Sequence, residues 1–563
     1  MLPYLSGRSA RRDMQREFRG LNRRAGAAEN EWTQMTNMTG SQYPLLASRP
    51  PRGRARRLTH INGMLGGDRL CFVDGTSFFY DGACYGQVAD SPKVLVRMGA
   101  RILIFPDKLS FSTVTRSFSP LENHEEATQV QALPMLENGE APENITAADT
   151  APASPKDGDY WLDTREKQLK RYNAALERWS QVTGTRILLR APGIGKGFRA
   201  GDGIRIRGAE SIGLEGTLLL ESVDENELTL NGLLDKACTL PGILYLDRDV
   251  PDLVLATELN NRVWGVEKDS QELRACKLGD PTNWQVYAGT SEDSYAVSVG
   301  SDGDFTGMCS FLGYALFFKE GWIHKLYGTK PADFQLTATL ARGVAKGAAQ
   351  TLCPVGDTLY YHGTDGVYAY DGSLPVRISW DLDIGARKGI CAAEDHGRYV
   401  LAAENPLGDA EILVYDPIRA LWHREDELRV SCMAQGDGDT WMASTDALWS
   451  RNGALMVGQP GGMEMESAVP WRVESADWNQ RDAGKRTCTR LLIRASLAPG
   501  CELKAALRYD SEKTWHTAAQ VTASGKGTLE IPLFPRRCDH FQLALSGVGD
   551  AVIYSIARDY LPG

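Results

Sequence analysis

Long apolar runs are absent from these 563 residues. No stretch approaches the ~20 residues a membrane-crossing helix needs, so membrane insertion is not expected. The first residues, MLPYLSGRSARRDM, lack the apolar core of a secretory signal, so a protein working outside a cell would leave by lysis or assembly. Cys-x-x-Cys pairs are missing too. The eleven cysteines are odd in number and lie mostly in apolar strand patterns such as Arg69-Leu-Cys71-Phe-Val, which points to free, buried thiols made in a reducing cytosol. The eight histidines (60, 124, 324, 362, 396, 423, 516 and 540) never fall at metal-ligand spacing, so no metal or cofactor site is expected. No Gly-x-Ser-x-Gly elbow occurs, which leaves an α/β-hydrolase nucleophile without a seat. No residue stands out as catalytic, and no enzyme is expected.

Helix-period runs are also missing from 248–380. Apolar and polar residues alternate there in runs of four to six, each stopped by a Gly, Asp, Asn or Pro cluster, the pattern of short antiparallel strands. The abundance of Gly (57), Trp (13) and Tyr (20) suits a turn-rich β protein. An apolar content of 42% and a charged content of 24% are those of a globular chain, and the length implies two to four domains.

In chain order, residues 1–57 form a basic arm, with one short helix expected around Ala10 to Asn22 and an extended, Pro-rich run from Asn37 to Arg52. Hairpins begin near His60. The first is Leu70-Cys-Phe-Val73, a two-residue Asp74-Gly75 turn, then Thr76 to Tyr80. Residues 134–156, with four Pro among many Ala, Glu and Thr, read as a linker. It leads to a small module from Gly158 to Trp179 and to a compact β-barrel over 184–240. With a second early hairpin (Ile102 to Phe105, the turn Pro106-Asp107-Lys108, then Leu109 to Phe111) and those that resume at 262–277, 314–327, 358–372, 398–424 and 439–453, there are seven candidates. Tyr172-Asn173 with Trp179 and Tyr415-Asp416 with Trp422 share a Tyr-Asx and a Trp seven residues on, as in blades that lock adjacent strands. Longer, evenly spaced strands follow 465. The expected fold is all-β: an irregular β-propeller of five to seven blades (58–133 and 247–464), a linker and small β modules inserted at 134–246, and a C-terminal β-sandwich (465–563).

Charge is uneven. The net is −10, yet residues 1–57 hold twelve Arg, no Lys and four acids (Asp13, Glu17, Glu29, Glu31), a balance of +8 that leaves −18 on the rest. Three readings of the arm stay open: a solvated tail, an arm docked on an acidic neighbour, or a nucleic-acid contact, the last opposed by the repulsion between phosphate and the body.

Several local patterns imitate chemistry. Gly193-Ile-Gly195-Lys196-Gly197 faintly resembles a phosphate loop but lacks the Ser or Thr after Lys. Asp157-Gly-Asp159 and Asp302-Gly-Asp304 do not continue into a calcium loop and read as turns. Asp437-Gly-Asp-Thr440-Trp441 and Asp510-Ser-Glu-Lys-Thr514-Trp515 are similar to truncated sialidase Asp-boxes, which staple turns. Glycosidase work needs a carboxylate pair that sequence cannot pick from 72 acids.

Read in order, Asn37 through Arg52 (NMTGSQYPLLASRPPR), Asp249-Val-Pro-Asp252, Asn260 to Gly265 (NNRVWG), Lys277 to Trp284 (KLGDPTNW), Asp304 to Gly307 (DFTG), Phe317 to Glu320, Ile323-His324-Lys325, Gly366 to Ser373 (GVYAYDGS) and Arg536 to Phe541 (RRCDHF) resemble a family of tailed-phage virion proteins, the stabilisation or tail accessory proteins, similar in role to the tail nozzle. The Gly158-to-Trp179 module is similar to small β modules of phage tail proteins. The resemblance implies a protein made in the host bacterial cytoplasm and carried in the virion tail. It also implies a ring of six copies below the portal and adaptor, with an axial channel through which genomic DNA passes without sticking, and tail fibres as further partners. A rigid wedge suits head-to-tail ring contacts, and an anionic body lets a polyanion slide past. The alternative is a receptor-binding or glycan-degrading tail protein.

Overall fold

The structure, a computed structural model, describes residues 11–382, 387–453, 463–479, 484–522 and 524–561. Among them every regular element is a strand or a short 3-10 turn. The helix expected around Ala10 to Asn22 is not formed. Arg11–Gln15 is a strand paired antiparallel with the end of Ala551–Leu561, where Arg12 donates two hydrogen bonds to Asp559 (2.7 and 2.9 Å). Pairing to an open sheet edge satisfies more backbone groups than one isolated helical turn could.

Seven small antiparallel sheets follow one another along the chain, at 61–87, 94–120, 253–298, 307–340, 353–377, 388–424 and 430–450, matching the seven hairpins expected. Each is wedged between its neighbours. In Tyr314–Lys319 (YALFFK), Ala315 and Phe317 pack with Trp264 of the third sheet, while Leu316 and Phe318 pack with Tyr361 of the fifth. A strand buried on both faces must be apolar at consecutive positions, which is why this run does not alternate. The innermost strands form a closed circuit. Ile61–Leu65 meets Val94–Met98, then Leu253–Leu259, then Gly307–Phe311; the turn Ala349–Thr351 carries contact to Lys388–Asp395, and Val430–Gly436 returns to Ile61–Leu65. Gly53–Arg57, from early in the chain, joins the seventh sheet by pairing with Ala447–Ser450 on one side and Glu464–Met465 on the other.

In the first hairpin the closing pair is Asp74 with Ser77, so the loop is Gly75-Thr76, one residue later than expected. The Asp74 carboxylate accepts hydrogen bonds from the backbone N–H groups of Thr59 and His60, which keeps it in the strand. Gly75 then supplies the left-handed conformation (φ +56°). Tyr172 pairs with Trp179, and Tyr415 with Trp422, across adjacent strands with ring centroids 5.2 and 4.8 Å apart.

Between the second and third sheets lie a four-stranded sheet (145–181) and an eight-stranded sheet built from 123–135 and 186–248 around its own apolar cluster, including Val130, Leu189, Ile204 and Leu246. Part of the expected linker is therefore strand. Pro134 pairs with Ile187 beyond the end of the short Cys238–Thr239 partner, so its missing N–H faces no strand.

The two chain ends share one body. A six-stranded sheet combines Arg11–Gln15, Met38–Thr39 and Leu46–Ser48 with Ala551–Leu561, Arg486–Leu497 and Gly525–Cys538. A five-stranded sheet combines Trp32–Thr36 with Pro470–Ser475, Phe541–Val548, Glu502–Tyr509 and His516–Thr522. Their shared apolar cluster continues through Phe18, Leu21 and Trp32 to Trp422, Tyr399 and Tyr360 of the sixth and fifth sheets. A Cβ on Gly20 would sit 2.2 Å from the Trp422 carbonyl oxygen, so glycine is required where the arm presses on the sixth sheet.

Candidate functional site: a charged lock and a central cavity

The basic arm docks on its own chain. Pro50 and Pro51 hold the backbone extended between Arg49 and Arg52, and both guanidiniums enter a buried network at the junction of the arm with the sixth and seventh sheets. Arg52, 2% exposed, donates to Glu425 (2.5 Å) and twice to Asp426 (both 2.9 Å). Arg49 donates to Asp426 (2.7 Å) and Glu466 (2.6 Å). Arg451 bridges Glu425 and Asp395, and Asn452 donates to Asp395 and Asp439. Burial alone would raise the Glu425, Asp426 and Asp395 carboxyl pKa values, but the facing arginines hold all three below the ordinary range. A cavity of about 290 Å³ opens beside this network. Its chemistry is fixation: every carboxylate in it already has a cationic or amide donor.

A second cavity, of about 690 Å³, lies where the innermost strands of all seven sheets converge. Leu65, Leu95, Ala256, Met308, Leu352 and Met433 make most of its wall apolar. Lys93 also lines it, but its ammonium is tied to Asp107 (2.5 Å) and Ser91 (2.9 Å). Glu394 is the one acid among the described lining residues. A glycosidase pair needs two carboxyls roughly 5–9.5 Å apart, and this wall offers one.

The imitating motifs resolve as turns. In the 193–197 loop the amides of Gly193, Gly195 and Lys196 already donate to Asn226, Glu225 and Gly193, so they form no phosphate cradle. Asp157 and Asp159 accept from the backbone N–H groups of Ala174 and Lys156. Asp304 pairs with Lys346. Asp437 accepts from Arg69 and from the Leu70 N–H, stapling the seventh sheet to the first, and Asp510 accepts from the Asp539 N–H. Ser511 lies 2.8 Å from His540, and His540 lies 3.3 Å from Asp539. These three residues stand on two neighbouring surface turns with the Asp539 side chain 64% exposed, and none of them lines either cavity.

One group escaped sequence reasoning altogether. Glu122, His124 and Asp249 bring their ligand atoms within 4.8 Å of one another, although 125 positions separate His124 from Asp249 and no local spacing could reveal them. Lys108 already neutralises Glu122 (2.7 Å) and Arg205 neutralises Asp249 (2.7 Å). The hydrogen bond to Asp247 raises the His124 pKa, favouring imidazolium over the neutral ring a metal would take.

No family model matches the chain, and no curated protein matches it. Among solved structures it is similar to an exo-β-1,3-galactanase from Phanerochaete chrysosporium (9% identity, 54% of this chain, 95% of that one, TM-score 0.21). It is also similar to the extracellular domain of BT4673, a putative one-component system from B. thetaiotaomicron (8%, 89% and 99%, TM-score 0.21), and to the endosialidase of phage phi92 (8%, 74% and 68%, TM-score 0.19). At these TM-scores the likeness carries no argument about this chain beyond what its own geometry supplies.

Proposed function

We propose that the chain is a structural, non-catalytic virion protein of a tailed phage, a tail nozzle-like subunit that assembles into a homo-oligomeric ring below the portal and adaptor and lines the DNA exit channel. In this reading the seven wedged sheets are blades of an irregular β-propeller, the eight-stranded sheet is an inserted small β-barrel, and the paired terminal sheets are a β-sandwich. The closed circuit of inner strands supports the propeller, as does the seventh sheet taking a strand from early in the chain, because radial closure protects edges. The phage assignment rests on the ordered motifs from Asn37 to Phe541.

The observation that carries the conduit reading is the anionic surplus of the chain. The cavity where the seven sheets converge, about 690 Å³ with a mostly apolar wall, offers DNA no free cation among the described residues, since the Lys93 ammonium is tied to Asp107. In this reading DNA passes between copies, not through one. With Arg12, Arg23, Arg24, Arg49 and Arg52 of the arm paired inside the chain, the net charge of −10 repels the passing polyanion. Electron microscopy of the purified protein, and of the particle that carries it, tests the reading. Closed rings with an axial opening wide enough for duplex DNA are expected. A protein solitary in an intact particle, or a trimer that binds and cleaves polysaccharide, overturns it.

A further inference from the structure

The fold divides the chain's charge in two. In sequence, residues 1–52 and 467–563, whose described strands build the terminal two-sheet body, hold 22 Lys and Arg against 14 Asp and Glu, a net of +8, so residues 53–466 carry −18. Inside one chain this complementarity is already used. Arg23 faces Glu411 (3.5 Å), Arg24 faces Asp381 (3.9 Å), and Arg49 and Arg52 grip Asp426 and Glu425. Surplus remains on both sides. Arg494 and Lys526 are exposed on neighbouring strands of the six-stranded sheet, where Arg494 opposes Thr528 and Ser496 opposes Lys526, so both cations share one face. Arg16 follows the Arg11–Gln15 strand of the same sheet. None of the three has an ion pair among the described residues. On the anionic body, residues 117–155 contain seven acids and no Lys or Arg. Within that stretch Glu137, Glu140 and Glu143 are exposed and have no ion pair among the described residues.

We propose that the outer face of the six-stranded sheet of one copy docks head to tail on the acidic 137–143 segment of the next copy. The inference rests on the ring reading above and names the contact that would build it. Two different patches on one chain make a heterologous contact, the kind that closes into rings when the rotation permits. Because the pairs are exposed, the contact is screened by salt.

Two full-length variants test it: Arg16→Glu/Arg494→Glu/Lys526→Glu, which leaves both patches anionic, and Glu137→Lys/Glu140→Lys/Glu143→Lys, which leaves both cationic. Mass photometry at low and high salt reads assembly. The wild type is expected to form rings that loosen in high salt, and each variant alone to need at least tenfold more protein to assemble. An equimolar mixture of the two variants should assemble again, which also shows that both are folded. Wild-type rings with both variants assembling at the wild-type concentration overturn the contact and leave the ring reading standing. A folded wild type that forms no ring at low salt overturns both.

Discussion

Removing Arg52 should open the start of the chain without melting the molecule. Its guanidinium is 2% exposed and makes three hydrogen bonds to two carboxylates, so Arg52→Met leaves Glu425 and Asp426 with fewer cations at a buried site. Breaking a buried pair from one side costs about 3–5 kcal/mol. Arg451 still holds Glu425 and Arg49 still holds Asp426, so the low end, about 3 kcal/mol, is expected. The nearest reporter is the Gly53–Arg57 strand, paired with Ala447–Ser450. Native-state hydrogen exchange of its amides should quicken by roughly 150-fold, the equivalent of 3 kcal/mol. Glu425→Gln should cost more, because it leaves Arg52 and Arg451 facing each other without their shared carboxylate. A rise below about tenfold in Arg52→Met, or no difference between the variants, would refute the view that this network fastens the arm. The acid response follows from the depressed carboxyls. Their stabilisation is present above the unfolded pKa of ~4 and is lost as pH falls through the folded values below it, so the strand should stay protected at pH 5 and open only in stronger acid.

Other predictions follow from single sites. His362 and His423 are buried, and burial lowers both pKa values to about 4. The unfolded chain takes up protons near pH 6.5 while the native one does not, so stability should fall between pH 6.5 and 4 by up to ~3 kcal/mol per residue, and His362→Gln/His423→Gln should flatten that slope in denaturant titrations. Trp422→Ala removes an almost fully buried ring packed on Tyr415 and the arm, and should cost about 3–5 kcal/mol in denaturant unfolding. The cysteines are free; Cys84 is exposed, Cys238 and Cys309 are half-buried and the other eight are buried, so a thiol reagent should modify Cys84 quickly and the eight buried thiols only on unfolding.

What the sequence made legible was whatever depends on near neighbours. Turn chemistry and alternation locate strands, and Tyr415 with Trp422 is readable because seven residues and a tight turn bring them into register. Contacts between distant segments leave no such trace. Nothing local to Arg11–Gln15 announces that its partner is Ala551–Leu561, so a short polar run with good helix formers reads as helix until that edge is available. The lock is partly legible: the prolines between Arg49 and Arg52 fix an extended backbone and leave two cations needing partners, but Glu425, Asp395 and Arg451 come from strand ends hundreds of positions away. The same limit explains why the arm's charge could be assigned to a neighbour. A block of arginines specifies only that acids must lie near it, and a chain of 563 residues with a large acidic surplus can supply them itself. That leaves an intermolecular contact to be argued from the charges that remain once the internal pairs are made. Those charges, on the six-stranded sheet and in the 137–143 segment, are where assembly should be sought.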